Sequence, residues 1–569
     1  MLVTCALAAS TWRVYSNTWD EPEHLAAGIE LLDRGRYEYD TEHPPFARML
    51  MALGPYLMGA RSFGTPPPDG VQEGVDILYS GGHYDLYLTL ARLGTLPFLP
   101  LLLFATWLWA RRMTQTEGEA LLAVLLLATV PPILGHAALA TLDVAAAATV
   151  LLALYALQSW LERPGWRTAC SFGLAAGLAV GSKFSAIPFL VLGSGVLGAA
   201  HWVLWWRQRR GAGVAGGVAA AKPIVAVLSG ERAQAWPALR RRILGLALVL
   251  VMSALPLFFA YGLILNNGVT LPHRYDLALK FLLQEHGISR QAGVLLGHLW
   301  MPHWLQGVIE GVVAIKAHND TGHLSFLLGE LRLTGWWYFY LVALAAKTPL
   351  PLLITGPLGM VLLAREGWRA RDGWRLAPLL SFLTVLVFSS LFSHINIGIR
   401  HVLVLYPFLA LGGAYTVALA WQALRKASVR PLGIVGSALL VGLVGWQVLT
   451  WWTANPDYLP YFNEAIAHPE RVLVDSDLDW GQDLRRLEWR AAEMKIPLLN
   501  LAYRGTASVT REPLPPIVVM PPWKPATGWI AISALAKVHD PKGYAWLDAY
   551  RPMERIGKTI ELYYVPPGR

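Results

Sequence analysis

Cysteine is nearly absent from this chain. Cys5 and Cys170 are the only two in 569 residues, and both fall inside apolar runs. They provide no disulfide framework and no thiolate metal site, so they say nothing about redox compartment. Charge is also scarce: 15% of residues are Asp, Glu, Lys or Arg, 55% are hydrophobic, and the mean hydropathy is +0.41. A soluble domain of ordinary composition carries about a quarter charged residues, so that class is excluded. The net charge of +9 does not point to nucleic acid. The basic residues sit in short linkers between apolar runs, which is the pattern of a membrane protein with its positive loops on the cytoplasmic side. Met1–Tyr15 lacks a basic n-region and reads as a short anchor rather than a cleaved leader.

Apolar runs of membrane-spanning length recur along the chain. The pattern predicts about eleven spans, at 1–15, 87–110, 119–138, 143–160, 168–182, 184–206, 243–264, 336–364, 376–393, 402–424 and 432–452. Alternate linkers are basic: Arg111-Arg112, Arg163 with Arg167, Arg207 through Arg242, Arg365 through Arg375, and Arg425 through Arg430. The opposite face carries a long acidic loop (16–86), a nearly uncharged turn at Pro131–Asp143, a second long loop (265–335) and the short link Ser393–His401. The first set is expected inside and the second outside. The first span is short and contains Arg13, so either that side chain snorkels or the true start lies upstream. The linker 207–242 mixes Gly-Ala repeats with basic residues and reads as flexible. Beyond the spans the composition changes. Apolar runs shorten to strand length at Arg471–Val474, Pro516–Met520 and Trp529–Ser533, and Pro513–Pro525 is proline-rich. This predicts a membrane module over 1–452 and a small extramembrane α/β domain over 453–569.

Ionisable groups at a membrane boundary are costly unless a cavity or a ligand uses them. Asp20 and Glu21 stand together in Thr18-Trp19-Asp20-Glu21-Pro22-Glu23-His24, outside the first span. An Asp before Pro is a good helix cap, which is the plain alternative reading. Asp143 opens the fourth span on the same expected face, and two acids converging from separate helices would form a pocket. Glu42-His43-Pro44-Pro45 sets a carboxylate and an imidazole beside a rigid turn. With His24 or His273 these are candidate metal contacts, although two adjacent ligands alone make no site. Lys183, Lys347 and Arg400-His401 are cations expected at the outer face. Snorkelling explains many such lysines. Three cations at one face also suit a lipid phosphate, which arginine binds with fork geometry and lysine as a point charge. Asp475 through Asp483 (Asp-Ser-Asp-Leu-Asp-Trp-Gly-Gln-Asp) fails as a calcium loop, because Trp480 stands at the required glycine and Arg486 at the closing glutamate. It reads first as a structural loop, with an acceptor-binding role as the alternative.

Taken in order, Trp19-Asp20-Glu21, Glu42-His43-Pro44-Pro45, Asp143, Phe326–Glu330 with Gly335-Trp336-Trp337-Tyr338, Lys347-Thr348-Pro349 and Arg400-His401 through Tyr406-Pro407 resemble the GT-C glycosyltransferases that depend on polyprenyl phosphate. That superfamily includes protein O-mannosyltransferases and lipid A aminoarabinose transferases. The match is nearer to bacterial members with an Asp-Ser-x-x-Asp-Trp-Gly-Gln-Asp signature in a C-terminal extramembrane domain. The resemblance implies an all-α polytopic membrane fold in a bacterial inner membrane, with the site and the C-terminal domain extracytoplasmic. It implies Asp20 as catalytic base, Glu21 as its acidic neighbour and Asp143 as the second acid. Arg400, His401, Lys183 and Lys347 would face the lipid phosphate. Glu42, His43 and His24 would contact a divalent metal or lie behind such contacts, and some relatives carry Glu-Lys at positions 42 and 43. The implied partners are a polyprenyl-phosphate sugar and a protein, lipid or glycan acceptor. The implied chemistry is inverting attack by a deprotonated hydroxyl. A transporter or lipid flippase is the alternative; it would favour internal repeats with broken helices at matching positions, which the sequence does not display.

Overall fold

The computed structural model describes residues 1–66, 69–114, 116–215, 232–262, 303–426 and 430–567. His273, the 263–302 part of the expected second loop and the 216–231 part of the basic linker lie outside the described residues. The remainder is mostly helical. Eight of its helices are long and apolar enough to cross a membrane, or nine counting the bent pair Glu117–Ala128 and Pro131–Ala137. Two expected spans account for the difference from eleven. Trp166–Ser182 is helical over 17 residues, and the first span forms only the short helix Leu2–Ser10 followed by a 3-10 turn. The span expected over 336–364 is divided. Helix Phe339–Lys347 ends before Thr348-Pro349, and Leu350–Ala370 continues beyond it. The residue before a proline is pushed out of the helical region, and Thr348 accordingly takes ψ 132°.

Close helix packing relies on small residues, since lipid offers no hydrophobic contrast. Helices Leu350–Ala370 and Leu405–Arg425 approach so closely that a Cβ on Gly359 would lie 1.7 Å from the carbonyl oxygen of Gly412. In the first loop, helices Glu21–Arg34 and Pro45–Leu57 pack side by side over the membrane helices.

The C-terminal region carries a five-stranded sheet of β3 (Leu499–Ala502), β4 (Ile517–Val519), β5 (Gly528–Ser533), β6 (Glu554–Ile556) and β7 (Ile560–Val565), in the order β4-β3-β5-β7-β6. A separate hairpin of β1 (Ser325–Leu327) and β2 (Glu330–Arg332) precedes it in the chain. β3 runs parallel to β4 and β5, and β7 is antiparallel to both its neighbours. Alternation along the strands buries both faces: Leu499, Leu501 and Leu562 pack against helix Leu484–Glu493, and Ile530, Ile532 and Tyr563 form the opposite core. The strands expected at Pro516–Met520 and Trp529–Ser533 are present. The one expected at Arg471–Val474 is not: a 3-10 turn at Pro469–Arg471 and helix Asp475–Leu478 flank it instead. Its apolar residues Leu473 and Val474 are buried as part of a tight turn, so apolarity there does not signify a ladder.

The segment that follows the first helix is bonded to the C-terminal region through its backbone. Ser16 N donates to Gln482 O (2.9 Å), Trp19 N donates to Trp480 O (3.1 Å), and Arg485 N donates to Ser16 Oγ (2.8 Å). Glu21 anchors the same segment from below. Its carboxylate receives both Nε and Nη2 of Arg92 at 2.8 Å, together with Thr18 N and Ala140 N. Burial alone would raise the Glu21 carboxyl, but Arg92 outweighs it and holds the group below the usual range. Removing one partner of a fully buried ion pair costs about 3–5 kcal/mol. Arg92→Leu is therefore expected to lower the thermal unfolding midpoint in detergent sharply, and a wild-type midpoint would refute the anchoring role.

Candidate functional site

Charged side chains from four parts of the chain converge beneath the first loop. Asp20 stands just before helix Glu21–Arg34 without a side-chain capping bond, Asp143 opens helix Asp143–Glu162, Lys183 follows helix Trp166–Ser182, and Arg400 lies in the 3-10 turn Ile399–Val402. Arg400 Nη1 donates to Asp20 Oδ2 at 2.6 Å and lies 3.8 Å from Asp143 Oδ2. Lys183 Nζ donates to Asp143 Oδ1 at 2.6 Å. Acid and base thus alternate in one chain: Asp20, Arg400, Asp143, Lys183. Burial would weaken the Arg400 charge, but Asp20 and Asp143 outweigh it and hold the guanidinium firmly protonated.

The turn that carries Arg400 is shaped by the C-terminal segment. Gly398 has φ +151°, and a Cβ there would meet Ser476 Oγ at 2.2 Å, so glycine lets the two segments touch. Ser476 Oγ donates to Ile397 O (2.5 Å), and Ile399 N donates to the Asp477 carboxylate (3.1 Å). The Trp480 ring lies over the Arg400 guanidinium, 4.4 Å from its carbon to the ring centre.

These groups border a cavity of about 600 Å³ that Asp20, Lys183, Arg400 and His401 line together with Asp475 and Trp480. Three buried polar atoms around it have no hydrogen-bond partner among the described residues: Arg400 Nε, His401 Nε2 and Asp143 Oδ2. Buried polar atoms are rarely left so, and a donor in this condition beside a cavity points to a ligand. Burial, reinforced by the Lys183 and Arg400 charges, holds the His401 imidazole well below its usual range, so it is neutral.

Not every residue singled out in the sequence reaches this cavity. Glu21 is consumed by Arg92 and faces away from it. Lys347, expected at an anion, is fully buried and donates to the carbonyls of Leu459 (2.9 Å) and Asp477 (2.5 Å). Its ammonium satisfies backbone acceptors where the broken span meets the C-terminal segment. Glu42, His43 and His24 do line the cavity, but in separate pairs. His43 Nδ1 bonds Asp40 (2.9 Å), Glu42 bonds His318 Nδ1 (2.7 Å), and His24 Nδ1 faces the Arg48 guanidinium (Nη2 at 2.8 Å). Arginine only donates, so His24 Nδ1 accepts and cannot serve a cation. Among the described residues no three His, Cys, Asp or Glu side chains are grouped to hold a metal ion, and this donor set does not fit one.

Sequence reasoning missed Arg48, Asp40 and His318, and placed Trp480 in a structural loop. Arg48 is fully buried, pairs with Asp40 and also donates to Tyr37 Oη (2.8 Å). Its position three residues after Pro45, on the first turn of a helix bearing the conspicuous Glu-His-Pro-Pro, was the available signal.

Residues 91–228 match the family model described as dolichyl-phosphate-mannose-protein mannosyltransferase, a segment that includes Asp143 and Lys183. No curated protein matches the sequence. Among solved structures, the chain is similar to ArnT from Cupriavidus metallidurans bound to undecaprenyl phosphate, at 14% identity and TM-score 0.44, covering 99% of this chain and 96% of that one. It is also similar to the Archaeoglobus fulgidus oligosaccharyltransferase tethered with an acceptor peptide, at 14% identity and TM-score 0.43, covering 80% of this chain and 57% of that one.

The C-terminal loop holds a further buried acid, Asp479, whose oxygens accept Leu535 N (2.7 Å) and Gly481 N (3.2 Å). Burial raises its carboxyl to about 7, above the unfolded value of about 3.9. A raised folded value stabilises fully below the unfolded one and is lost as pH rises through the folded one. Between pH 5 and 8 the melting temperature of the wild type should therefore fall relative to Asp479→Asn; parallel profiles would contradict this. The segment that matches the family model thus supplies two of the four residues of the charge chain, Asp143 and Lys183.

Proposed function

We propose that this chain moves a sugar from a polyprenyl-phosphate donor to an acceptor hydroxyl at the extracytoplasmic face of a bacterial inner membrane, with inversion at the anomeric carbon. The observation that carries the reading is the buried Nε of Arg400, unpartnered among the described residues, at a cavity that Lys183 also lines. Guanidinium and ammonium together suit a phosphate, the first by its fork and the second as a point charge. The basic linkers on the opposite face support the orientation. In this reading residues 1–452 are the transferase module and 453–569 an extracytoplasmic domain.

The ion pair between Asp20 and Arg400 then has a role in the cycle. A donor phosphate competes for the guanidinium and releases the Asp20 carboxylate towards the cavity. Asp20 takes the proton of the acceptor hydroxyl, the oxygen attacks the anomeric carbon, and the bond from that carbon to the phosphate oxygen breaks. The electron pair leaves with the polyprenyl phosphate, whose growing charge Arg400 and Lys183 stabilise where it develops. Asp143 holds Lys183 and Arg400 in place. Neutral His401 offers the phosphate a hydrogen bond or accepts one. Glu21 and Lys347 hold the frame, and neither touches substrate.

Transfer from a panel of polyprenyl-phosphate sugars, measured in liposomes with a membrane fraction as acceptor source, tests the reading. Asp20→Asn should lower turnover about 10²–10⁴-fold while the protein stays folded. Arg400→Ala should raise the donor KM by about tenfold or more, because a charge-assisted contact is lost. Wild-type turnover in Asp20→Asn would overturn the base assignment, and an unchanged donor KM in Arg400→Ala would overturn the phosphate site. The anomeric configuration of the product, read by NMR, decides inversion.

A further inference from the structure

The segment Asp475–Asp483 contains four aspartates, and three of them have structural work. The Asp477 carboxylate accepts Ile399 N, Asp479 holds two backbone amides, and Asp483 receives Arg486, Lys558 N and Thr559 Oγ1. Asp475 differs. Its Oδ1 accepts only the amide of the next residue, Ser476 (2.6 Å), and its Oδ2 makes no hydrogen bond among the described residues. It forms no ion pair there either, yet it lines the cavity that contains Asp20 and Arg400. Its backbone sits at φ +38°, where a side chain is unfavourable and glycine would cost less. Strain of this kind persists where the surroundings enforce it, and it collects at functional sites.

The surroundings do enforce it. Ser476, Asp477 and Trp480, which follow it in sequence, are bonded to or stacked on the Ile397–Arg400 turn, so Asp475 is fixed relative to the guanidinium. The cavity is thus lined both by cations, Lys183 and Arg400, and by carboxylates, Asp20 and Asp475. Carboxylates repel a second anion and bind a hydroxyl, which donates to them.

We propose that Asp475 receives the acceptor hydroxyl and orients it between Asp20 and the donor, making the C-terminal region part of the catalytic site. This inference rests on the transferase reading above. Asp475 acts only through a hydrogen bond: the proton still passes to Asp20, and the bonds made and broken are unchanged. Burial lifts the Asp475 carboxyl to about 7, so at neutral pH a large share is ionised and able to accept.

Full-length Asp475→Asn and Asp475→Gly, in liposomes, test the inference. Both replacements tolerate positive φ, so neither breaks the backbone turn. Three quantities are measured: binding of labelled undecaprenyl phosphate, transfer to the acceptors of a membrane fraction, and the unfolding midpoint. Both variants should bind undecaprenyl phosphate within about twofold of wild type, while transfer falls about 10²-fold. The Gly variant should melt no lower than wild type. A purely structural Asp475 would instead lower the midpoint, or lower phosphate affinity and transfer together, and either result overturns the proposal. So does wild-type transfer in both variants. If the wild type transfers from no donor in the panel, it is the transferase reading that fails, and its failure shows in the unmutated protein.

Discussion

The Arg400 guanidinium, set between Asp20 and Asp143 beneath the ring of Trp480, is the interaction on which this structure turns. A charge withdrawn from water is tolerated only if opposite charge and hydrogen bonds replace the solvent. Here the replacements come from the first loop, from the start of a membrane helix and from the C-terminal segment. Three pieces far apart in sequence must therefore assemble before the arginine can be buried. Even so, Arg400 Nε has no acceptor among the described residues.

The same physics recurs nearby. Arg92 and Arg48 are completely buried, each spent on a carboxylate of the first loop, Glu21 and Asp40. Lys347 is spent on backbone carbonyls. These cations resemble ligand-binding groups in every property readable from composition. They differ from Arg400 and Lys183 in that their valences are filled from within the protein and they do not line the cavity of Asp20. Satisfaction, rather than charge, separates the scaffold from the site.

The membrane architecture was largely legible beforehand, because a span needs only length and apolarity, both local properties. The helices at 143–162 and 405–425 lie where the apolar runs predicted them. Strands were legible only in part: Trp529–Ser533 pairs in the sheet, but Leu473 and Val474 are equally apolar and enter a turn. Apolarity demands burial and leaves the manner of burial open.

The sequence by itself determined that the chain crosses a membrane repeatedly, which acids and bases stand at the boundaries, and that the C-terminal region folds outside the helical pattern. Hydrocarbon imposes those features on each segment separately. Only the tertiary structure decided which charges meet. Asp20 and Arg400 lie 380 positions apart and bond at 2.6 Å. Adjacent Asp20 and Glu21 point to different fates, one at the cavity and one at Arg92. Asp475, which read as part of a loop, faces the cavity because its neighbours are tied to the turn of Arg400. Electrostatic pairing depends on distance in space, and no local pattern encodes that distance.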